Sequence, residues 1–112
     1  MSQITTHILD TAIGRPAAGV GITLYEQSDS GWRKLAQGVT NNDGRISDLL
    51  EKDTLLPVGI YRLNFEVASY FKRQGVDAFY PTVDIVFNIK NKEHYHVPLL
   101  LNPFGYSTYR GS

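Results

Sequence analysis

His7, Arg45, His94, His96 and Tyr109 are the side chains of this sequence best suited to chemistry at neutral pH. Imidazole titrates close to neutrality, so it can take a proton from water or bind a metal. His94 and His96 stand two residues apart, and alternation along a strand puts such a pair on one face. With His7 they reach the minimum ligand set of a zinc site. No carboxylate is spaced to orient them from behind, so neither a metal nor another cofactor is expected. Ser107 and Ser112 offer hydroxyls for a Ser/His/acid arrangement, but the chain has no Gly-x-Ser-x-Gly elbow and no cysteine nucleophile. Activation of water is the simpler chemistry.

The histidines lie in the closing stretch, residues 94–112. There Tyr95, Val97, Leu99 and Leu101 form one apolar row, and His94, His96, Pro98 and Leu100 point the other way. The apolar row demands a core, which leaves both imidazoles outside it. Pro103 fits the second position of a tight turn and Gly105 relieves its end, so residues 106–110 should return antiparallel to the histidine strand. The outward face mixes imidazole with Pro98 and Leu100, which a solvated face does not normally carry; it reads as a subunit interface or a lined cleft. Tyr109-Arg110-Gly111-Ser112 keeps strand patterning to its end and reads as docked, bringing a phenol, a guanidinium, a hydroxyl and the α-carboxylate into a short span.

Earlier segments alternate in the same way. Strands are predicted over residues 3–9, 21–26, 32–39, 45–48, 60–67 and 83–89. Residues 3–9 carry apolar side chains on both faces, so periodicity does not choose the buried one. In residues 32–39, Arg33, Leu35, Gln37 and Val39 oppose Trp32, Lys34 and Ala36; in residues 60–67, Tyr61, Leu63, Phe65 and Val67 face inward. Asn41-Asn42-Asp43-Gly44 is the strongest turn signal, and it delivers Arg45 directly after the turn. A helix of one or two turns fits residues 69–75, with Ser69 capping its start and Gly75 its end. About eight short strands and one short helix imply an all-β fold, an eight-stranded antiparallel β-sandwich.

The chain has 112 residues, enough for one domain, 1–112, with a single core. Eleven basic and eleven acidic residues balance, and no basic run gives a nucleic-acid footprint. Apolar runs are too short to span a bilayer, and no secretory signal opens the chain, so neither nucleic acid nor membrane is an expected partner. The absence of cysteine fits a reducing compartment, and a cytoplasmic location is the default expectation.

Thr6-His7-Ile8-Leu9-Asp10 with Gly14-Arg15-Pro16-Ala17, then His96-Val97-Pro98-Leu99-Leu100-Leu101, Pro103-Phe104-Gly105-Tyr106-Ser107-Thr108 and the terminal Tyr109-Arg110-Gly111-Ser112, are similar to the opening and closing segments of the transthyretin-related family. Over nearly its whole length the chain resembles the enzyme branch of that family, the 5-hydroxyisourate hydrolases. Transthyretin itself, a thyroid-hormone carrier, lacks the terminal tetrapeptide and the histidines. The resemblance implies a transthyretin-like (prealbumin-like) sandwich in a homotetramer, with clefts where pairs of dimers meet. It implies catalytic roles for His7, Arg45 and His96, substrate-binding roles for Tyr109 and Ser112, and hydrolytic opening of the 5-hydroxyisourate ring. Nothing in that set corresponds to His94. For such a reaction Arg45 would keep a nearby imidazole neutral and stabilise the oxyanion formed as water adds, while the Ser112 α-carboxylate could orient an imidazole. The alternative implied by the same family is a carrier that binds an aromatic ligand in the tetramer channel.

Overall fold

Period-two alternation of apolar side chains produces strands, and in this chain it produces two sheets that face one another. The computed structural model describes residues 2–112. In chain order the elements are β1 (Ile4–Asp10), β2 (Arg15–Pro16), β3 (Gly21–Ser28), β4 (Gly31–Val39), β5 (Arg45–Ile46), β6 (Gly59–Glu66), α1 (Val67–Arg73), β7 (Val83–Ile89), β8 (Tyr95–Asn102) and β9 (Gly105–Thr108). One sheet has the order β2-β1-β8-β9 with β5 also on β1, and the other has the order β4-β3-β6-β7. This is the all-β sandwich with one short helix that the patterning predicts.

The inner faces are the predicted rows. Tyr61, Leu63 and Phe65 of β6 are buried, and so are Tyr95, Val97, Leu99 and Leu101 of β8. On β1 the inward side chains are Ile4, Thr6 and Ile8, all at most 1% exposed. The Thr6 hydroxyl is satisfied there by donating to the Val97 carbonyl at 2.6 Å, as a buried polar group requires. Thr5, His7 and Leu9 therefore face outward, on the same side as His96.

Four local features differ from the sequence expectation. β1 and β8 pair in parallel, so the sandwich is not antiparallel throughout. A register shift between Leu24 and Tyr25 breaks the alternation of β4, and both Leu35 and Ala36 pack on the core. The helix begins two residues early: Glu66 caps it by accepting the Ser69 N–H, and Ser69 lies inside. Finally, β9 ends at Thr108, and beyond it the backbone pairs with β8 again only at the Gly111–His96 bridge.

α1 is fastened to the first sheet by a buried polar contact. Tyr70 Oη donates to Asp10 Oδ2 at 2.8 Å, and Asp10 Oδ1 accepts the Ala12 N–H at 3.0 Å. Asp10 is 1% exposed. Its charge is tolerated because both oxygens have donors.

Candidate active site

The site is assembled on the outer face of the first sheet, and pairing register decides which side chains meet. Thr5 lies opposite His96 and His7 opposite Pro98 in the parallel β1–β8 pair. On its other edge β1 pairs with β5, which sets Arg45 opposite His7. Cross-strand partners share a face, so imidazole, hydroxyl and guanidinium gather on the outward side.

Arg45 owes its position to the turn over residues 41–44. The Asn41 side chain accepts the N–H groups of Asp43 at 2.9 Å and Arg45 at 3.1 Å. Gly44 has φ +70°, and a Cβ there would lie 2.4 Å from the Ile8 carbonyl oxygen. Only glycine reconciles that conformation with so close an approach to β1. The Gly44 carbonyl in turn accepts the Ile8 N–H at 2.8 Å, which locks the turn beside His7.

The chain end is docked, as the sequence suggests. The Gly111 N–H donates to the His96 carbonyl at 2.8 Å. A Cβ on Gly111 would stand 2.5 Å from His96 Cδ2 and 3.3 Å from Pro98 Cγ. The missing side chain lets the terminal segment lie against the imidazole ring.

A cavity of about 300 Å³ opens on this face, lined by Thr5, Arg45, Ser47, His94, His96 and Ser112 among others. That is the lower end of the size range for small-molecule sites and suits one small ring. Thr5 Oγ1 lies 2.8 Å from His94 Nε2 and 2.8 Å from His96 Nδ1, and the two rings are stacked with centroids 6.3 Å apart. Burial lowers the pKa of His96 below its ordinary 6.5, and Arg45, His94 and His7 add repulsion in the same direction. His7 is lowered too, first by burial and then by Arg45, against a hydrogen bond to the Asp43 backbone. At pH 7 both rings are neutral, able to accept a proton.

Not every predicted residue reaches the cavity. Arg45, His96 and Ser112 line it; His7, beside Arg45 across the β1–β5 pair, does not, and is felt electrostatically at His96. Tyr109 lies elsewhere, in a cavity of about 490 Å³ between the sheets with Phe87, Tyr95 and Arg110. Arg110 stacks 4.3 Å over the Tyr95 ring and donates to the His94 carbonyl at 3.3 Å. The terminal tetrapeptide thus divides, with Tyr109 and Arg110 on one side of β8 and Ser112 on the other. Thr5 and Ser47 line the site without having been singled out. Thr5 shares a face with His7 by simple alternation, but its partner on β8 depends on a pairing across 91 residues. Among the described residues, no group of three or more His, Cys, Asp or Glu side chains is arranged to hold a metal ion.

A family model described as HIUase/Transthyretin family matches residues 4–111. The 5-hydroxyisourate hydrolase of Salmonella dublin is 46% identical over 110 residues, covering 97% of this chain and 80% of that protein. The structure of Klebsiella pneumoniae 5-hydroxyisourate hydrolase superimposes with a TM-score of 0.86 at 39% identity, covering 97% of this chain and 98% of that one. Sea bream transthyretin in complex with thyroxine superimposes with a TM-score of 0.91 at 32% identity, covering 98% and 95%. Backbone shape is common to hydrolase and carrier alike, so the side chains in the cavity must distinguish them.

Proposed function

The chain belongs to the HIUase/transthyretin family, and on that premise we propose that it is a 5-hydroxyisourate hydrolase working in the His96 cavity. The observation that carries this reading is one small outward cavity lined by a neutral imidazole, a guanidinium and Ser112. A carrier site for a hydrophobic ligand needs few ionisable groups. Around this cavity stand Arg45, His94 and His96.

In the proposed reaction His96 takes a proton from water as the oxygen adds to a ring carbonyl of 5-hydroxyisourate. Arg45 stabilises the oxyanion, and its charge also disfavours the imidazolium, keeping the base free at pH 7. The proton returns to the departing ring nitrogen as the C–N bond breaks, giving 2-oxo-4-hydroxy-4-carboxy-5-ureidoimidazoline. Ser112 contacts the substrate at the cavity mouth. His7 assists by setting the field at His96 and by holding Arg45 across the β1–β5 pair. Tyr109, also assigned to substrate binding, acts on this view by closing the cleft in an assembled oligomer.

The oligomer is a homotetramer in this reading. Leu9 and Leu100, both only partly buried, put apolar surface on the same outward face as the imidazoles, which a second copy would cover. Residues 1–112 act as one domain. No helix of the described residues is long and apolar enough to cross a membrane; a cytoplasmic location accords with a chain that has no cysteine to oxidise.

The deciding experiment follows the ultraviolet decay of freshly generated 5-hydroxyisourate with wild type and His96→Ala, both treated with chelator. Wild type should accelerate the decay and the variant should lose a factor of about 10² to 10⁴, the usual worth of a positioned base. A silent wild type that binds an aromatic ligand saturably without turnover would make it a carrier.

A further inference from the structure

We propose that the Thr5 hydroxyl is a positioning residue that couples the tautomers of His94 and His96, holding both rings with the proton on Nδ1. A threonine hydroxyl has one proton to donate and lone pairs to accept with. Here it stands 2.8 Å from two ring nitrogens at once, His94 Nε2 and His96 Nδ1. It can donate to only one of them. The other ring must supply the proton for its own contact.

Two arrangements satisfy that condition when both rings are neutral. In the first, His96 Nδ1–H donates to Thr5, and Thr5 O–H donates to His94 Nε2; both rings then carry hydrogen on Nδ1. In the second, His94 Nε2–H donates to Thr5, and Thr5 O–H donates to His96 Nδ1; both rings then carry hydrogen on Nε2. If both rings donated to Thr5, its oxygen could accept them, but its own proton would have no acceptor among the described residues; if neither donated, one ring nitrogen would face the oxygen with no proton between them. The hydroxyl therefore forces the two imidazoles to agree.

The geometry favours the first arrangement. Among the described residues no hydrogen bond engages His96 Nε2, whereas Nδ1 is held against Thr5. His94 is exposed and His96 half-buried, so the ring N–H left without a protein partner is better placed on His94 Nδ1, which water reaches, than on His96 Nε2. In this arrangement Nε2 is bare and can take a proton from water. When it does, Nδ1–H keeps donating to Thr5 and Thr5 keeps donating to His94, so no hydrogen bond has to be remade. In the second arrangement Nε2 already carries a proton and cannot act as a base. Thr5 is 7% exposed, and water competes little for its hydroxyl. His94, which lacked a role, becomes the acceptor that fixes the direction of the Thr5 O–H.

This proposal rests on the hydrolase reading for its effect on rate, but its spectroscopic half does not. The test combines ring ¹⁵N spectra at a pH where the rings are neutral with kinetics of Thr5→Val and Thr5→Ser. Wild type should show both His94 and His96 protonated on Nδ1. Thr5→Val preserves shape and strand preference while deleting the hydroxyl. It should move His96 away from the pure Nδ1–H form and lower kcat about ten- to a hundredfold with KM little changed, the usual loss when an imidazole's supporting partner is removed. Thr5→Ser should restore both the spectrum and the rate. Wild-type rings in different tautomers, or a neutral His96 protonated on Nε2, would overturn the proposal without any variant. So would unchanged spectra and kcat in a folded Thr5→Val protein. If wild type shows no hydrolase activity, the functional reading falls, and the ring spectra still decide whether Thr5 couples the tautomers.

Discussion

At the scale of single residues, the site is a matter of keeping imidazoles neutral and in place. His96 is held below its ordinary pKa of 6.5 by burial first and by the charges of Arg45, His94 and His7 after it. In the proposed mechanism the neutral form is the active one, so kcat/KM should stay flat above pH 6.5 and fall only as pH drops through the lowered value. Arg45→Gln removes one of the opposing charges. Besides lowering the rate, it should shift the acid limb of the residual kcat/KM profile upward toward 6.5; an unmoved limb would mean that Arg45 does not act on the base. Gly111 controls position rather than charge. In Gly111→Ala the new methyl would need space 2.5 Å from His96 Cδ2, so either the ring or the terminal segment must move. A displacement of this kind costs about 10² in rate, and kcat measured beside an unchanged circular dichroism spectrum would show it.

Elements explain why those residues meet, and here sequence was informative in some places and mute in others. The β8–β9 hairpin was legible because its signals are local: alternating apolar residues, Pro103 and Gly105 at the turn. Arg45 was legible for the same reason, since residues 41–44 contain their own turn chemistry. The parallel β1–β8 pair has no such signal, because its strands are joined by most of the chain and no turn residue marks the pairing. Thr5 was missed with it, being an ordinary strand residue until His96 is opposite. The cap of α1 was missed because Ser69 is the commoner capping type, while here Glu66, at the end of β6, accepts the N–H of Ser69 itself. The Asp10–Tyr70 contact that fastens α1 also depends on tertiary structure, and it carries a stability prediction. Tyr70→Phe leaves a buried carboxylate oxygen without its donor and should cost about 1.5–3 kcal/mol in urea unfolding. Burial and the Asp10 bond push the Tyr70 pKa up to about 12. A raised pKa means that its contribution is complete below pH 10 and is lost as pH rises toward 12. Wild type should therefore lose stability over that range more steeply than Tyr70→Phe.

For the molecule as a whole, the question is what covers the outward face of the β1–β8 pair. Leu9 and Leu100 are cross-strand neighbours there, and both remain only partly buried in the isolated chain, on the same face as His96. A sheet face exposed to water would be expected to carry polar residues at these positions. An interface built on it would shield the imidazoles from solvent and complete the cavity, so assembly and turnover should be lost together. Leu100→Asp tests that coupling, because it puts a charge on the outer face without touching the core on the other side of β8. Wild type should sediment at about four times the 12.6 kDa of one chain. The variant should sediment lighter, keep its β-sheet circular dichroism, and hydrolyse 5-hydroxyisourate at least about tenfold more slowly, the loss expected when a site is less well ordered and less well dehydrated. A lighter variant with full activity would show that one chain carries a complete site. A variant that stays at wild-type mass would move the interface to another face.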